Sequence, residues 1–285
     1  MHPKNGRTEK SLPSPSGRGA GGEGAPREPV GAGLPGGPAT GPKTYRFEIL
    51  RYSAAAGGPP RFQAYALAVE KKMSVLEALL TLQEEQDPAL AFRYSCRGAV
   101  CGSCAMSING RLNLACRVQL DALPTDRVVL EPLPGFDVLK DLVVDMDAFW
   151  EKYERVRPWL HAEISAGRES RMSESQRQRI DQYLQCILCG ICYAACPARK
   201  SNEAFTGPAA LAKLYRFVAD SREDRGGQTL RQEDSQQGVW GCRTVMQCVV
   251  ACPKDVRPAD GIRGVRRALA AEKIRRALRR KPRET

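Results

Sequence analysis

The stretch SCRGAVCGSC, residues 95–104, together with the LAC at residues 114–116, decides the first half of the fold. Cys96, Cys101 and Cys104 stand in the order C-x4-C-x2-C, and Cys116 follows at a distance. This is the plant-type ferredoxin spacing, and it predicts a [2Fe–2S] centre. Outward from it, CILCGICYAACP at residues 186–197 is the bacterial ferredoxin run C-x2-C-x2-C-x3-C-P, carrying Cys186, Cys189, Cys192 and Cys196. CRTVMQCVVACP at residues 242–253 repeats that run with Val245 where its second cysteine would stand, leaving Cys242, Cys248 and Cys252. These three groups account for all eleven cysteines.

Thiolates hold iron because sulfur is soft and tolerates both oxidation levels of a cluster. The loop between them must be tight enough for several sulfurs to converge. Gly98 and Gly102 permit the backbone angles such a loop needs, and they free N–H groups to point at sulfur. Zinc also takes four cysteines, but the x4, x2 and long-gap spacing is the ferredoxin's. A Rieske centre is excluded, because His2 and His161 lie far from every cysteine motif.

In two-cluster ferredoxins the fourth cysteine of each run ligates the other cluster. Applied to this chain, Cys186, Cys189 and Cys192 take Cys252, which gives a [4Fe–4S] centre. Cys242 and Cys248 take Cys196, and Val245 leaves that site one thiolate short. A cubane lacking one ligand loses the unligated iron, so this site is expected to hold a [3Fe–4S] centre. Such a centre usually has a higher potential and suits an electron outlet. The whole chain reads as a conductor of single electrons.

An odd cysteine count and C-x-x-C spacing argue for metal over disulfides, and so for a reducing compartment. No apolar stretch has the length to cross a bilayer, and the N-terminus has no secretory h-region. The chain has 285 residues and a net charge of +12. Much of the excess lies in VRRALAAEKIRRALRRKPR at residues 265–283. Its readings are a solvated helix face or a surface for anionic lipid or an acidic partner. No nucleic acid is expected, since no aromatic side chains interleave the basic ones.

Residues 1–43 are rich in Gly, Pro and Ser and read as a disordered tail. Their two G-x-G-x-x-G matches, at 17–22 and 19–24, have no strand before or helix after, so the dinucleotide reading fails. A transit peptide remains open there. Residues 44–138 form the first domain. TYRFEILRY and RFQAYALAV alternate around GGPP and predict a hairpin. Ser74 and Glu77 form a capping box for a helix with Val75, Leu76, Leu79 and Leu80 on its apolar stripe. Asn109-Gly110 marks a second hairpin, and RVVLEPL is the closing strand. LPGF at residues 133–136 reads as a linker, beyond which strand signals stop.

Residues 139–260 read as helical. VVDMDAFWEKYERV is a helix ended by Pro158, Ser173 and Gln176 cap another, and Gly207-Pro208 opens a third with Leu211, Leu214 and Val218 on one face. Residues 261–285 read as a separate basic helix. The fold class is therefore α+β: a β-grasp ferredoxin domain followed by an all-α helical ferredoxin domain.

With these motifs assembled, the chain resembles the iron–sulfur subunit family of succinate dehydrogenase and fumarate reductase. The resemblance runs from about Thr44 to Gly261. It rests on RYSCRGAVCGSCAMSINGRLNLAC, VVDMDAFWEKYERVRPWL, CILCGICYAACP, GPAALAKLYRFVADSRED and CRTVMQCVVACPKDVRP. It implies the three clusters above, a flavoprotein partner holding FAD, and a membrane-anchor subunit where quinone is met. Electrons then pass singly between succinate or fumarate and quinone, with no substrate site on this chain.

The resemblance also implies a peripheral position on the cytoplasmic face of a bacterial inner membrane, or the matrix face in a mitochondrion. Two positions depart from many quinone-reducing members: Ser201 stands for a tryptophan and Arg243 for a histidine. By motif position the quinone-proximal candidates are Pro197, Ser201, Arg243 and Val245. Two other readings are the iron–sulfur subunit of another flavin-linked complex and a zinc-stabilised basic nucleic-acid-binding protein. The fused plant-type domain speaks against the first.

Overall fold

Alternation in TYRFEILRY turns Tyr45, Phe47 and Ile49 to one side, and all three are buried. In the computed structural model, which describes residues 41–162, 169–224 and 227–280, this segment is strand β1 (Lys43–Arg51). It pairs antiparallel with β2 (Arg61–Val69) from Lys43 opposite Val69 to Arg51 opposite Arg61. The capping box at Ser74 forms as its sequence asks. The Glu77 amide donates to Ser74 Oγ at 3.2 Å and the Ser74 amide donates to Glu77 Oε2 at 2.7 Å. Helix α1 (Val75–Glu85) follows, burying Val75, Leu76, Ala78, Leu79 and Leu82.

Beyond the first cysteine loop, β3 (Ala105–Ile108) and β4 (Arg111–Leu114) form the hairpin. Asn109 and Gly110 at its tip both have positive φ, as a tight two-residue turn requires. Strand β5 (Arg127–Glu131) is the last of its five-stranded sheet in sequence but central in space. The sheet order is β2-β1-β5-β3-β4, with β5 parallel to β1 and antiparallel to β3. Val128 and Leu130 are fully buried there.

Strands do not stop at the LPGF linker. β6 (Val138–Lys140) and β7 (Val143–Val144) form a short antiparallel pair. Leu142 and Val144 belong to the first core with Phe47, Leu79 and Leu130. The helical reading of VVDMDAFWEKYERV is corrected accordingly: α2 spans Asp147–Arg155 only. Two consecutive valines favour a strand, and the Asp145 carboxylate accepts the Asp147 amide at 2.8 Å, marking where the helix starts.

The remaining elements are α3 (Glu174–Leu184), α4 (Ile191–Ala194), α5 (Pro197–Ser201), α6 (Pro208–Val218), α7 (Gln228–Gln232), α8 (Gln247–Val250) and α9 (Pro258–Arg280). The Ser173–Gln176 box caps α3. Helices α6 and α9 cross closely because α9 offers glycines at the crossing. A Cβ on Gly261 would come within 3.2 Å of Ala212 Cα, and one on Gly264 would overlap the Tyr215 ring.

The second core holds Phe205, Leu211, Leu214, Ile262, Val265 and Leu269. The basic helix expected from residue 261 is thus a continuation of α9, and its first half is core. The N-terminal tail and its G-x-G-x-x-G matches lie outside the described residues. No helix among the described residues is long and apolar enough to cross a membrane.

Candidate metal centres

The loop at residues 95–104 folds through three left-handed residues, Arg97, Ala99 and Gly102, with φ of 56°, 56° and 76°. Such turns aim consecutive amides inward. The N–H groups of Gly98, Val100 and Cys101 donate to Cys96 Sγ at 3.4, 3.3 and 3.2 Å. They favour the thiolate and pull Cys96 down to about 6. Cys104 is buried beside Cys116, with their sulfurs 3.4 Å apart, and burial pushes its thiol up to about 12. The amides of the loop thus converge on Cys96 at its exposed edge, and Cys116, beyond β4, meets the loop at Cys104.

The other seven cysteines fall into two cavities. Cys186, Cys189, Cys192 and Cys252 line one, with Leu188 and Val256. Cys196, Cys242 and Cys248 line the other, with Pro197, Arg243, Thr244, Val245 and Met246. This is the partition that crossed ligation asks for. Each loop again carries left-handed residues: Leu188 and Gly190 in the first, Thr244 and Met246 in the second. A β-branched residue at positive φ is uncommon, and Thr244 adopts it while its amide donates to Cys242 Sγ at 3.4 Å.

Burial pushes Cys189 and Cys248 up to about 12 and raises Cys192, Cys196 and Cys252 as well. A thiolate in such apolar surroundings is costly unless a cationic centre binds it, so the donor set fits iron–sulfur cores. Among the described residues, no three His, Cys, Asp or Glu converge tightly enough for a single ion. A polynuclear core spaces its thiolates more widely than one ion does.

Of the quinone-proximal candidates, Pro197, Arg243 and Val245 lie on the wall of the cavity lined by Cys196, Cys242 and Cys248, and Val245 is 52 % exposed. Ser201 does not line it: its hydroxyl donates to the Ala198 carbonyl at 3.1 Å, within α5.

Three further residues were not visible as functional in the sequence. Arg117, directly after Cys116, donates to the Pro253 carbonyl, directly after Cys252, and so ties the first loop to the second site. Arg266 on α9 donates to the carbonyls of Val239 and Cys242 at 2.8 and 2.6 Å, fixing the third loop. Arg199 is buried against Tyr193. Adjacency to a ligand was the one local signal, and it applied to Arg117 alone.

Two family models match the chain: a 2Fe-2S iron-sulfur cluster binding domain over residues 46–151 and a 4Fe-4S dicluster domain over residues 182–256. The succinate dehydrogenase iron-sulfur subunit of Coxiella burnetii is 40% identical over 231 residues, covering 79% of this chain and 97% of that protein. The subunit of the same name from Paracoccus denitrificans is 38% identical over 224 residues, covering 78% and 86%.

This chain belongs to the family of succinate dehydrogenase iron–sulfur subunits. The mitochondrial succinate dehydrogenase [ubiquinone] iron-sulfur subunit of Dictyostelium discoideum is 35% identical over 236 residues, covering 79% of this chain and 82% of that one. In fold, it matches a chain of the Mycobacterium smegmatis Sdh1 complex in the apo form, with a TM-score of 0.72 over 82% of this chain and 98% of that one at 24% identity. As a succinate dehydrogenase iron–sulfur subunit, the chain is an electron-transfer component of a succinate:quinone oxidoreductase, with an N-terminal 2Fe-2S domain and a C-terminal 4Fe-4S domain.

Proposed function

We propose that the chain conducts electrons one at a time through three centres in series. Cys96, Cys101, Cys104 and Cys116 hold a [2Fe–2S] cluster in a β-grasp domain. Cys186, Cys189, Cys192 and Cys252 hold a [4Fe–4S] cluster, and Cys196, Cys242 and Cys248 hold a [3Fe–4S] cluster, both in a helical ferredoxin domain. When bound, each cluster supplies a site that takes up and gives back one electron. The chain's residues fix the order of the sites and offer amide donors to sulfur at the first.

The observation that carries this reading is the division of seven cysteines between two cavities, with Cys252 crossing to one and Cys196 to the other. Val245 stands at the wall of the three-cysteine cavity, where a fourth thiolate would complete a cubane.

In the same reading, an FAD-containing flavoprotein meets the first domain and a membrane-anchor subunit meets the third site, on the cytoplasmic or matrix face of the membrane. Pro197, Arg243 and Val245 then lie toward quinone. Metal analysis of the anaerobically purified complex tests the cofactor class. Iron with acid-labile sulfide in nearly equal amount is expected; zinc without sulfide would overturn the proposal.

A further inference from the structure

The segment between the second and third sites carries a charge that the fold leaves without a counter-ion. Tyr193 lies on α4 between Cys192 and Cys196 and is buried. The Arg199 guanidinium stacks on its ring, 4.7 Å from the centroid, and Lys152 Nζ lies 5.2 Å from the same centroid. Lys152 donates to the Tyr193 hydroxyl at 2.8 Å and to the Glu203 carbonyl. Arg199 is 8% exposed, and its Nε has no hydrogen-bond partner.

Among the described residues no carboxylate forms an ion pair with either cation, although a buried charge ordinarily requires one. The linker makes room for the guanidinium. Gly135 of LPGF has φ of 77°, and a Cβ there would overlap Arg199.

We propose that Arg199 is a positioning residue of the relay, whose buried, carboxylate-free guanidinium, carried on the helix α5 that starts directly after Cys196, stabilises the electron on the centre held by Cys196, Cys242 and Cys248. The inference rests on the ligand assignment proposed above. The negative charge that answers the guanidinium is that of the thiolate-ligated centre. A fixed cation in a low-dielectric interior favours the state with one more electron, so it raises the reduction potential. Lys152, at the hydroxyl end of the ring, adds to the same field from a more solvated position. No bond is made or broken; one electron enters a site whose surroundings are already positive.

Potentiometric titration of the purified complex, followed by EPR, tests this with the wild type, Arg199→Lys and Arg199→Gln. In Arg199→Gln the signal of the Cys196 centre is expected to titrate at a lower potential, with the [2Fe–2S] signal unmoved. Arg199→Lys is expected to stay near wild type. Unchanged titration of the Cys196 centre in Arg199→Gln would overturn the proposal and leave Arg199 a packing residue, even if the variant melts earlier.

If Arg199→Gln does not assemble, Lys152→Gln carries the test: a smaller downward shift supports the field, and none overturns it. Failure of the ligand assignment shows separately, as a wild-type spectrum without a three-iron signal. The potential of whatever centre the three cysteines then hold is read in the same way.

Discussion

Gly102 of the first cysteine loop lies directly against Cys189 of the second. A Cβ on Gly102 would stand 2.8 Å from Cys189 Cβ and 3.0 Å from its Cα. Only a residue without a side chain allows this approach, and its φ of 76° demands glycine for the same reason. Electronic coupling falls steeply with distance, so backbone contact between two ligand loops is the geometry a relay needs. Arg117, bound to the Pro253 carbonyl, closes the seam from the other side.

Gly102→Ala is expected to cost about 1–3 kcal/mol from the backbone alone, with overpacking against Cys189 added. Thermal melting of the cluster-loaded chain measures the loss. The EPR spectrum of the reduced protein should also report weaker coupling between the first two centres. An alanine variant that melts and couples as wild type would mean that the loops are not pressed together.

Val245→Cys should supply the missing thiolate at the cavity of Cys196, Cys242 and Cys248. The three-iron EPR signal of the oxidised protein is expected to disappear, replaced by a four-iron signal on reduction. Persistence of the three-iron signal would remove Val245 from the vacant ligand position.

Cys252→Ser separates crossed from sequential ligation. The [4Fe–4S] signal should be altered or lost while the three-iron signal remains, because Cys252 lines the cavity of Cys186, Cys189 and Cys192. The opposite pattern, with only the three-iron signal changed, would place Cys252 with its sequence neighbours Cys242 and Cys248.

Helix α9 should divide into two parts by truncation. Ending the chain at residue 272 removes Ile274 and Leu278, which are 61% and 67% exposed, and should leave cluster content intact. Leu269→Ala, by contrast, opens the second core and should cost about 2–5 kcal/mol. Removal of everything from residue 261 takes Ile262, Val265, Leu269 and the Arg266 clamp on Cys242, and should abolish the third site. Iron content and melting temperature of the three variants give the comparison.

The sequence disclosed what is local. Both capping boxes, the β1–β2 hairpin and the Asn109-Gly110 turn follow from short-range chemistry, and each is in the structure. Cysteine spacing likewise pointed to which sulfurs could share a cavity. What it did not disclose depends on contacts between distant segments. β5 sits in the middle of the sheet because β1 and β3 both offer it an edge, which no local pattern encodes.

β6 and β7 are too short to show alternation, so β6 was passed over and β7 was read into a helix. The positive-φ residues Arg97, Ala99, Leu188, Thr244 and Met246 are not glycines, and nothing in their identity announces the turns they make. The boundary drawn at residue 261 followed the basic composition, whereas the buried stripe Ile262, Val265 and Leu269 runs straight through it. Gly135 was read only as part of a linker, whereas a Cβ there would meet the Arg199 guanidinium.

The central claim is that three distinct clusters lie in series on this chain, and EPR of the anaerobically purified complex, oxidised and then reduced stepwise, tests it most directly. The account predicts a three-iron signal in the oxidised protein, replaced on reduction first by a [2Fe–2S] signal and then by a [4Fe–4S] signal coupled to it. Two four-iron centres with no three-iron signal, or a spectrum without any cluster, would contradict it.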